Sequence, residues 1–329
     1  MNGLAARFNS EMKKKNIFIL LAVFAVIVLI AVIIEVPLSK RGQKKAAKEL
    51  TLFSGFDAEQ ATSIEIITSD RQVKLNRDSG AWLVATSENY PADPKAIETA
   101  LAKVVALRAS HIASKSAEKH PQFEVDKSGI EVKVLGAEDN LLAHFFVGKM
   151  GPDYMSSYVR KADQDTVFLV GEYLRSIFDK GARGWRDRTI FSFDVPQVKK
   201  LTLISKEKGE IVIEARDDGG WQIIKPEVAP ANKEMINQVL SDVSKLSADD
   251  FAEKKDLKEY KLDDPQAKII ADMKDGSTNV LLVGDKSDYR QYVKRADKDT
   301  VFMLSKSRID GIFKGLEELK AKPEEGGDA

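Results

Sequence analysis

Two acidic pairs, Asp163 with Asp165 and Asp297 with Asp299, stand in matching stretches: "YVRKADQDTVF" from Tyr158 to Phe168 and "YVKRADKDTVF" from Tyr292 to Phe302. Paired carboxylates can run hydrolytic acid–base chemistry or hold a divalent cation, provided burial or mutual repulsion separates their pKa values and a substrate fits between them. Here each pair flanks one polar residue between two β-rich runs, which is the composition of a hairpin turn. Aspartate in a turn accepts hydrogen bonds from backbone N–H groups two residues on and tolerates unusual φ. If Lys161 pairs with Thr166, Val159 falls opposite Phe168 and Tyr158 opposite Leu169. The turn gives every recurring residue a structural duty. The alternative is a membrane-tethered hydrolase acting on envelope polymers through Asp163 and Asp165.

No other stretch offers a stronger chemical signal. His111, His120 and His144 have no histidine counterparts in the later matching region and no H-E-x-x-H or two-histidine–one-carboxylate spacing around them. "VLLVGDKS", Val280 to Ser287, ends like a phosphate loop but carries Val280 where the first glycine belongs. It reads as a strand turning at Gly284. There are no cysteines, which removes disulfides, thiolate zinc sites, iron–sulfur clusters and a cysteine nucleophile. No catalytic, cofactor-binding or metal-ligating residue is therefore assigned, no cofactor is expected, and the chain reads as a non-enzyme.

The elements that must position these residues lie in a chain of 329 residues, 43% hydrophobic and 31% charged, the profile of about two globular domains. The net charge of zero hides an asymmetry. Residues 1–50 hold nine Lys/Arg against three Asp/Glu, leaving 42 against 48 for the remainder. That acidic body is a poor match for nucleic acid, whose phosphates require a basic surface.

Ile17 to Ile34, "IFILLAVFAVIVLIAVII", is uncharged and apolar throughout and extends to Leu38 past Glu35. At about 1.5 Å per residue this approaches a hydrocarbon core of about 30 Å. It is longer than a signal-peptide core and runs into "EVPLSKRG" without a small-residue cleavage site, so it reads as an uncleaved single span in the lipid bilayer. Arg7 and Lys13 to Lys15 precede it, and Lys40, Arg41, Lys44, Lys45 and Lys48 follow; this balance leaves orientation open by charge alone.

Behind the span the chain is written twice. Trp82 matches Trp221, Gly148 matches Gly284, Tyr158 and Phe168 match Tyr292 and Phe302, and Phe178 matches Phe313, at offsets of 139, 136, 134 and 135. A period of that length is a duplicated domain, not a solenoid. In each copy three short strands precede a helix, capped by Asp93 with Pro94 or by Asn232. The helical stripes are Ile97, Leu101, Val104 and Val105, and Ile236, Val239, Leu240, Val243 and Leu246. Four strands and a short helix with Leu174 and Phe178, or Ile309 and Phe313, complete the unit. This pattern predicts α+β architecture: two tandem domains, each a mainly antiparallel sheet with a long and a short helix, after one transmembrane helix. The expected layout is a cytoplasmic tail (1–16), the span (17–38), a basic linker (39–51), the first repeat (52–180), the second (181–315) and a tail without fixed structure (316–329).

The tryptophan strand, the capped helix, "LKEYKLDDP" at Leu257 to Pro265, the strand ending in Val-Gly, the "YV…TVF" hairpin and "WRDRTIFSFD" resemble the bacterial family called domain of unknown function 4340. The resemblance covers both copies, about residues 52 to 315. The first copy departs from it, reading "HPQFEVDKS" where the second has "EYKLDDP". The resemblance implies an N-terminal span, domains outside the cytoplasm of a bacterial inner membrane, and association with ABC-type transport or gliding-motility-like complexes. A non-enzymatic binding or scaffold accessory with a membrane-protein partner is therefore expected, with a small-ligand sensor whose pocket lies between the copies as a further alternative. The family carries no known catalytic residues to transfer.

Overall fold

The computed structural model describes residues 50–253 and 256–322. It is α+β, with two antiparallel sheets of ten and nine strands and few helices. Among the described residues no helix is long and apolar enough to cross a membrane; the span expected at Ile17 to Ile34, the N-terminal tail and most of the basic linker lie outside them.

In chain order the first copy forms β1 (Leu50–Thr51), β2 (Ser63–Ile67), β3 (Gln72–Asp78), β4 (Ala81–Val84), β5 (Tyr90–Pro91), α1 (Pro94–Val105), β6 (Arg108–Ser114), α2 (His120–Phe123), β7 (Ile130–Leu135), β8 (Leu141–Met150), β9 (Ser157–Lys161), β10 (Val167–Val170), α3 (Arg175–Phe178) and α4 (Ala182–Trp185). The second forms β11 (Val198–Ser205), β12 (Gly209–Ala215), β13 (Trp221–Lys225), β14 (Ala229–Pro230), α5 (Lys233–Ser244), β15 (Asp250–Phe251), β16 (Ala267–Met273), β17 (Thr278–Ser287), β18 (Arg290–Arg295), β19 (Val301–Ser305), α6 (Lys306–Ile312) and α7 (Leu316–Leu319).

Spatially the described chain falls into two compact units: residues 50–73 with 98–179, and residues 74–97 with 180–322. The segment 74–97 thus belongs to the first copy in sequence and to the second unit in space. Unit one carries the order β1-β6-β10-β9-β8-β7-β2. Its β7 alternates buried and half-buried residues, as a strand with one core face must. Phe145 and Phe178 meet edge to face in its interior, 5.7 Å apart. Unit two contains the β3-β4-β5 meander and the complete sheet β14-β13-β12-β11-β16-β17-β18-β19-β15. Leu201, Ile213, Ile223, Leu281, Val293 and Leu304 of that sheet share a core with Val239 and Leu240 of α5.

The helices start where their caps predict. Asp93 Oδ1 accepts from the backbone N–H groups of Lys95 and Ala96 at 2.9 and 3.3 Å, and Asn232 Oδ1 from that of Met235 at 3.0 Å. The α5 stripe is buried at all five predicted positions. In α1, Ile97, Leu101 and Val104 are buried but Val105 is 44% exposed; Ala100 completes the face instead, because a residue one step beyond Val104 turns about 100° around the helix.

Two sequence expectations need correction. Each copy has an extra strand after its long helix, β6 and β15, whose small or polar residues hid it. Between the copies, "KGARGWRDRTIFSFD" from Lys180 to Asp194 serves both. Its front half closes the first copy: α4 ends with Trp185 O accepting from the Asp93 N–H at 2.8 Å, as Leu319 O accepts from the Asn232 N–H at 2.8 Å in the second. Its back half opens the second copy: Ile190 N–H donates to Leu246 O at 2.8 Å, as Leu52 N–H donates to Leu107 O at 2.9 Å. Finally, residues 316–322 are not a structureless tail. They form α7 and an antiparallel bridge from Lys320 to Ala231, held by Leu319 at 0% exposure; residues 323–329 lie outside the described residues.

Candidate functional site

The repeated hairpins adopt the register predicted from spacing. Phe168 lies opposite Val159 and Leu169 opposite Tyr158; Phe302 lies opposite Val293 and Met303 opposite Tyr292. Asp163, Asp165, Asp297 and Asp299 sit in the two turns, all exposed, where water solvates them instead of a closed low-dielectric site. Their duties differ between copies. Arg295 clamps Asp297 with two bonds of 2.8 and 2.7 Å, and this guanidinium holds the Asp297 carboxyl below the usual aspartate range. Lys161 stands 3.8 Å from Asp163. The backbone carbonyl of Asp165 meets His120 Nε2 at 2.9 Å.

The other recurring residues are structural. A Cβ on Gly148 would lie 2.2 Å from Phe123 O, and one on Gly284 would lie 2.1 Å from Tyr260 O. The loop before β7 or β16 crosses directly over that backbone, so only glycine fits. Its tip is left-handed in both copies, at Glu124 (φ 56) and Lys261 (φ 51), so the loop keeps its shape although "HPQFEVDKS" lacks the second copy's proline. The same loop supplies the ring partner of each recurring tyrosine: Phe123 to Tyr158 at 4.6 Å and Tyr260 to Tyr292 at 4.0 Å. Phe168 and Phe302 are core residues. Trp221 Nε1 donates to Asn237 Oδ1 at 3.2 Å, and the Trp82 carbonyl accepts from Ala92 N–H at 2.8 Å. His144 pairs with Glu131 at 2.7 Å across β7 and β8. Burial raises the Glu131 carboxyl, but the bonds from His144 and Lys133 outweigh it and leave the group below its ordinary value. Among the described residues no group of three His, Asp or Glu side chains is placed to hold a metal ion.

The cavity that stands out lies in unit two, a cleft of about 700 Å³ lined by Tyr90, Arg186, Leu257, Lys294, Asp299 and Thr300 among others, within the size range of small-molecule sites. Lys294 is 8% exposed. The Arg186 guanidinium lies 3.9 Å from the Tyr90 ring centroid and 3.8 Å from that of Phe251, in the corner between two rings that meet edge to face, within cation–π range of both. Burial lowers its pKa, and its Nε has no hydrogen-bond partner. The carboxylates at the cleft, Glu88, Glu253 and Asp299, are all exposed. The cleft therefore joins buried and half-buried cations to exposed carboxylates.

Neither Arg186 nor Lys294 belongs to a motif of the sequence that points to chemistry. Lys294 occupies a position where the copies simply exchange basic residues, "RK" for "KR", and nothing in the string marks one of each pair as buried. A usable signal did exist for the neighbourhood of Arg186. "TLFSGFD" from Thr51 recurs as "TIFSFD" from Thr189, and "KGARGWR" from Lys180 recurs as "KGLEELK" from Lys314.

The family model described as Domain of unknown function (DUF4340) matches residues 82–255 and again residues 221–323, which together span more than half of the chain. No curated protein and no solved structure shows a significant match.

Proposed function

Because the chain belongs to the family described as Domain of unknown function (DUF4340), whose description assigns no reaction, we propose that it works by binding: a membrane-anchored accessory or scaffold of an envelope transport complex. The observation that carries this reading is the division of labour among the side chains. Residues that recur between the copies are committed to turns, loop crossings and core, and the half-buried and buried cations that line the unit-two cleft are left to recognise something. The apolar stretch Ile17 to Ile34 supplies the anchor in the lipid bilayer, and the +6 charge of the first fifty residues, read from nine Lys/Arg and three Asp/Glu, suits an anionic membrane surface. On this reading the domains face the outside of the cytoplasm.

The test is photocross-linking in native membranes from residues at the cleft rim, Glu88 and Asp299. A discrete adduct with a transporter subunit is the expected result. Absence of any adduct from these positions, with the protein correctly inserted, would count against the reading. A reporter enzyme fused to the C-terminus and active only outside the cytoplasm checks the sidedness.

A further inference from the structure

The duplication permits the same buried position to be compared in two states. Arg160 and Lys294 are equivalent residues of the repeated hairpin, and each is 8% exposed. Arg160 spends its donors on its own copy: Nε donates to Val125 O at 2.8 Å, and Nη1 lies within reach of Lys161 O, Ala162 O and Gln164 O at 3.2, 3.3 and 3.2 Å. Its guanidinium also covers the Phe146 ring at 4.3 Å. The side chain thus ties the β7 loop to the hairpin turn. Lys294 makes one hydrogen bond to the described residues, a 3.3 Å contact with Arg295 O. An ammonium has three donors, and burial with donors unfilled is costly. The space that opens at Lys294 is the cleft of about 700 Å³, and Arg186 lines it too.

We propose that the cleft of unit two binds a small oxyanion, a carboxylate or phosphoryl group, at Lys294 with Arg186 beside it, and that Arg160 has closed the corresponding place in the first copy. This names the ligand chemistry of the cleft and rests on reading it as a recognition site. An oxyanion supplies the acceptors that Lys294 lacks, the Arg186 guanidinium adds positive charge on the same lining, and charge-assisted bonds to an anion are the strong kind. The exposed carboxylates of Glu88, Glu253 and Asp299 at the rim disfavour extended polyanions. The ligand is therefore a small molecule with one anionic end and a neutral or cationic remainder.

The test uses the full chain in detergent, with inorganic phosphate and acetate as separate probes at constant ionic strength and chloride as the control. Thermal unfolding and calorimetric titration should show saturable binding of at least one probe, and the responding probe distinguishes a phosphoryl from a carboxylate site. Lys294→Gln should weaken that binding by about tenfold or more. Lys294→Arg should also abolish it while raising the melting temperature without ligand, because a guanidinium there can reach the carbonyls that Arg160 reaches in the first copy. Arg160→Lys should lower the melting temperature and leave binding intact. No saturable binding of either probe, equal binding by wild type and Lys294→Gln, or undiminished binding by Lys294→Arg would each overturn the proposal. Rim cross-linking to a membrane partner needs no anion, so the two readings fail separately.

Discussion

At the scale of single residues, recurrence marked constraint more than chemistry. Gly284 and Gly148 give the sharpest case, since a Cβ at either would sit against a backbone oxygen at 2.1 or 2.2 Å. Gly284→Ala or Gly148→Ala should destabilise by about 1–3 kcal/mol, the usual cost of overpacking, read from denaturant unfolding; an unchanged midpoint would refute the close crossing. The aspartates predict the reverse. Asp163→Asn with Asp165→Asn should shift stability by less than about 1 kcal/mol, as exposed substitutions usually do, and should leave partner cross-linking intact. Asp297 and Asp250 set a pH dependence. Arg295 lowers the first. Burial raises the second, but the Phe251 N–H, Arg183 and Arg290 outweigh it. A carboxyl depressed in the folded state stabilises above its unfolded value of about 3.9 and loses that contribution as pH falls through the folded pKa. Melting temperature should therefore drop below about pH 4, and Asp297→Asn should flatten that drop; a parallel curve for the variant would contradict the role of the Arg295 clamp. The place of the aspartates in the hairpin loops was legible because register is local, but the acceptor of Asp165 is its backbone carbonyl and the partner of Asp297 is the Arg295 side chain, not a backbone N–H two residues on. The different fates of Arg160 and Lys294 were not, because burial depends on what the rest of the chain places above them.

At the scale of elements, what could be read depended on periodicity and caps. The long helices, the strands with alternating apolar residues and the hairpin register all carry their pattern in contiguous residues, and all stand where the spacing places them. β6 and β15 escaped because a strand at or next to the end of a sheet needs little apolar character: "RASHIAS" is exposed or half-buried at every position but Ala109. The closing helices escaped for a different reason. α7 is four residues long, too short for a helical stripe, and its value lies in one side chain, Leu319, at 0% exposure. Leu319→Ala should cost about 2–5 kcal/mol, as for other fully buried leucines, measured by urea unfolding of the full chain. A cost under about 1 kcal/mol would mean that the C-terminal element is dispensable. The caps make a milder, paired prediction: Asn232→Ala should cost about 1 kcal/mol.

At the scale of the whole molecule, the self-match revealed two copies but not how contacts group them. Similarity between copies is a property of aligned residues, whereas a compact unit is a property of contacts, so residues 74–97 could align with the second copy's strands and still group with the second unit. That grouping is what brings Tyr90 and Glu88 to the same cleft as Lys294, and no offset in the sequence announces it. The charge partition is a molecule-scale feature that the sequence does carry. Nine Lys/Arg against three Asp/Glu in residues 1–50, around eighteen apolar residues, precede a body with 42 against 48. An acidic body gains nothing from an anionic membrane, so the proposed membrane attachment must come from the apolar stretch, with the basic residues contributing at most about 1 kcal/mol each near the surface. The two contributions separate by their response to salt, since screening weakens the electrostatic one and leaves the hydrophobic one intact. The full chain should therefore stay in the membrane pellet through washes in molar salt and alkaline carbonate. A chain lacking residues 1–38 but keeping Lys40 to Lys48 should bind anionic vesicles weakly at low salt and be released at high salt. Release of the full chain by salt alone would remove the anchor from the proposed function and leave a peripheral protein held by its basic segment.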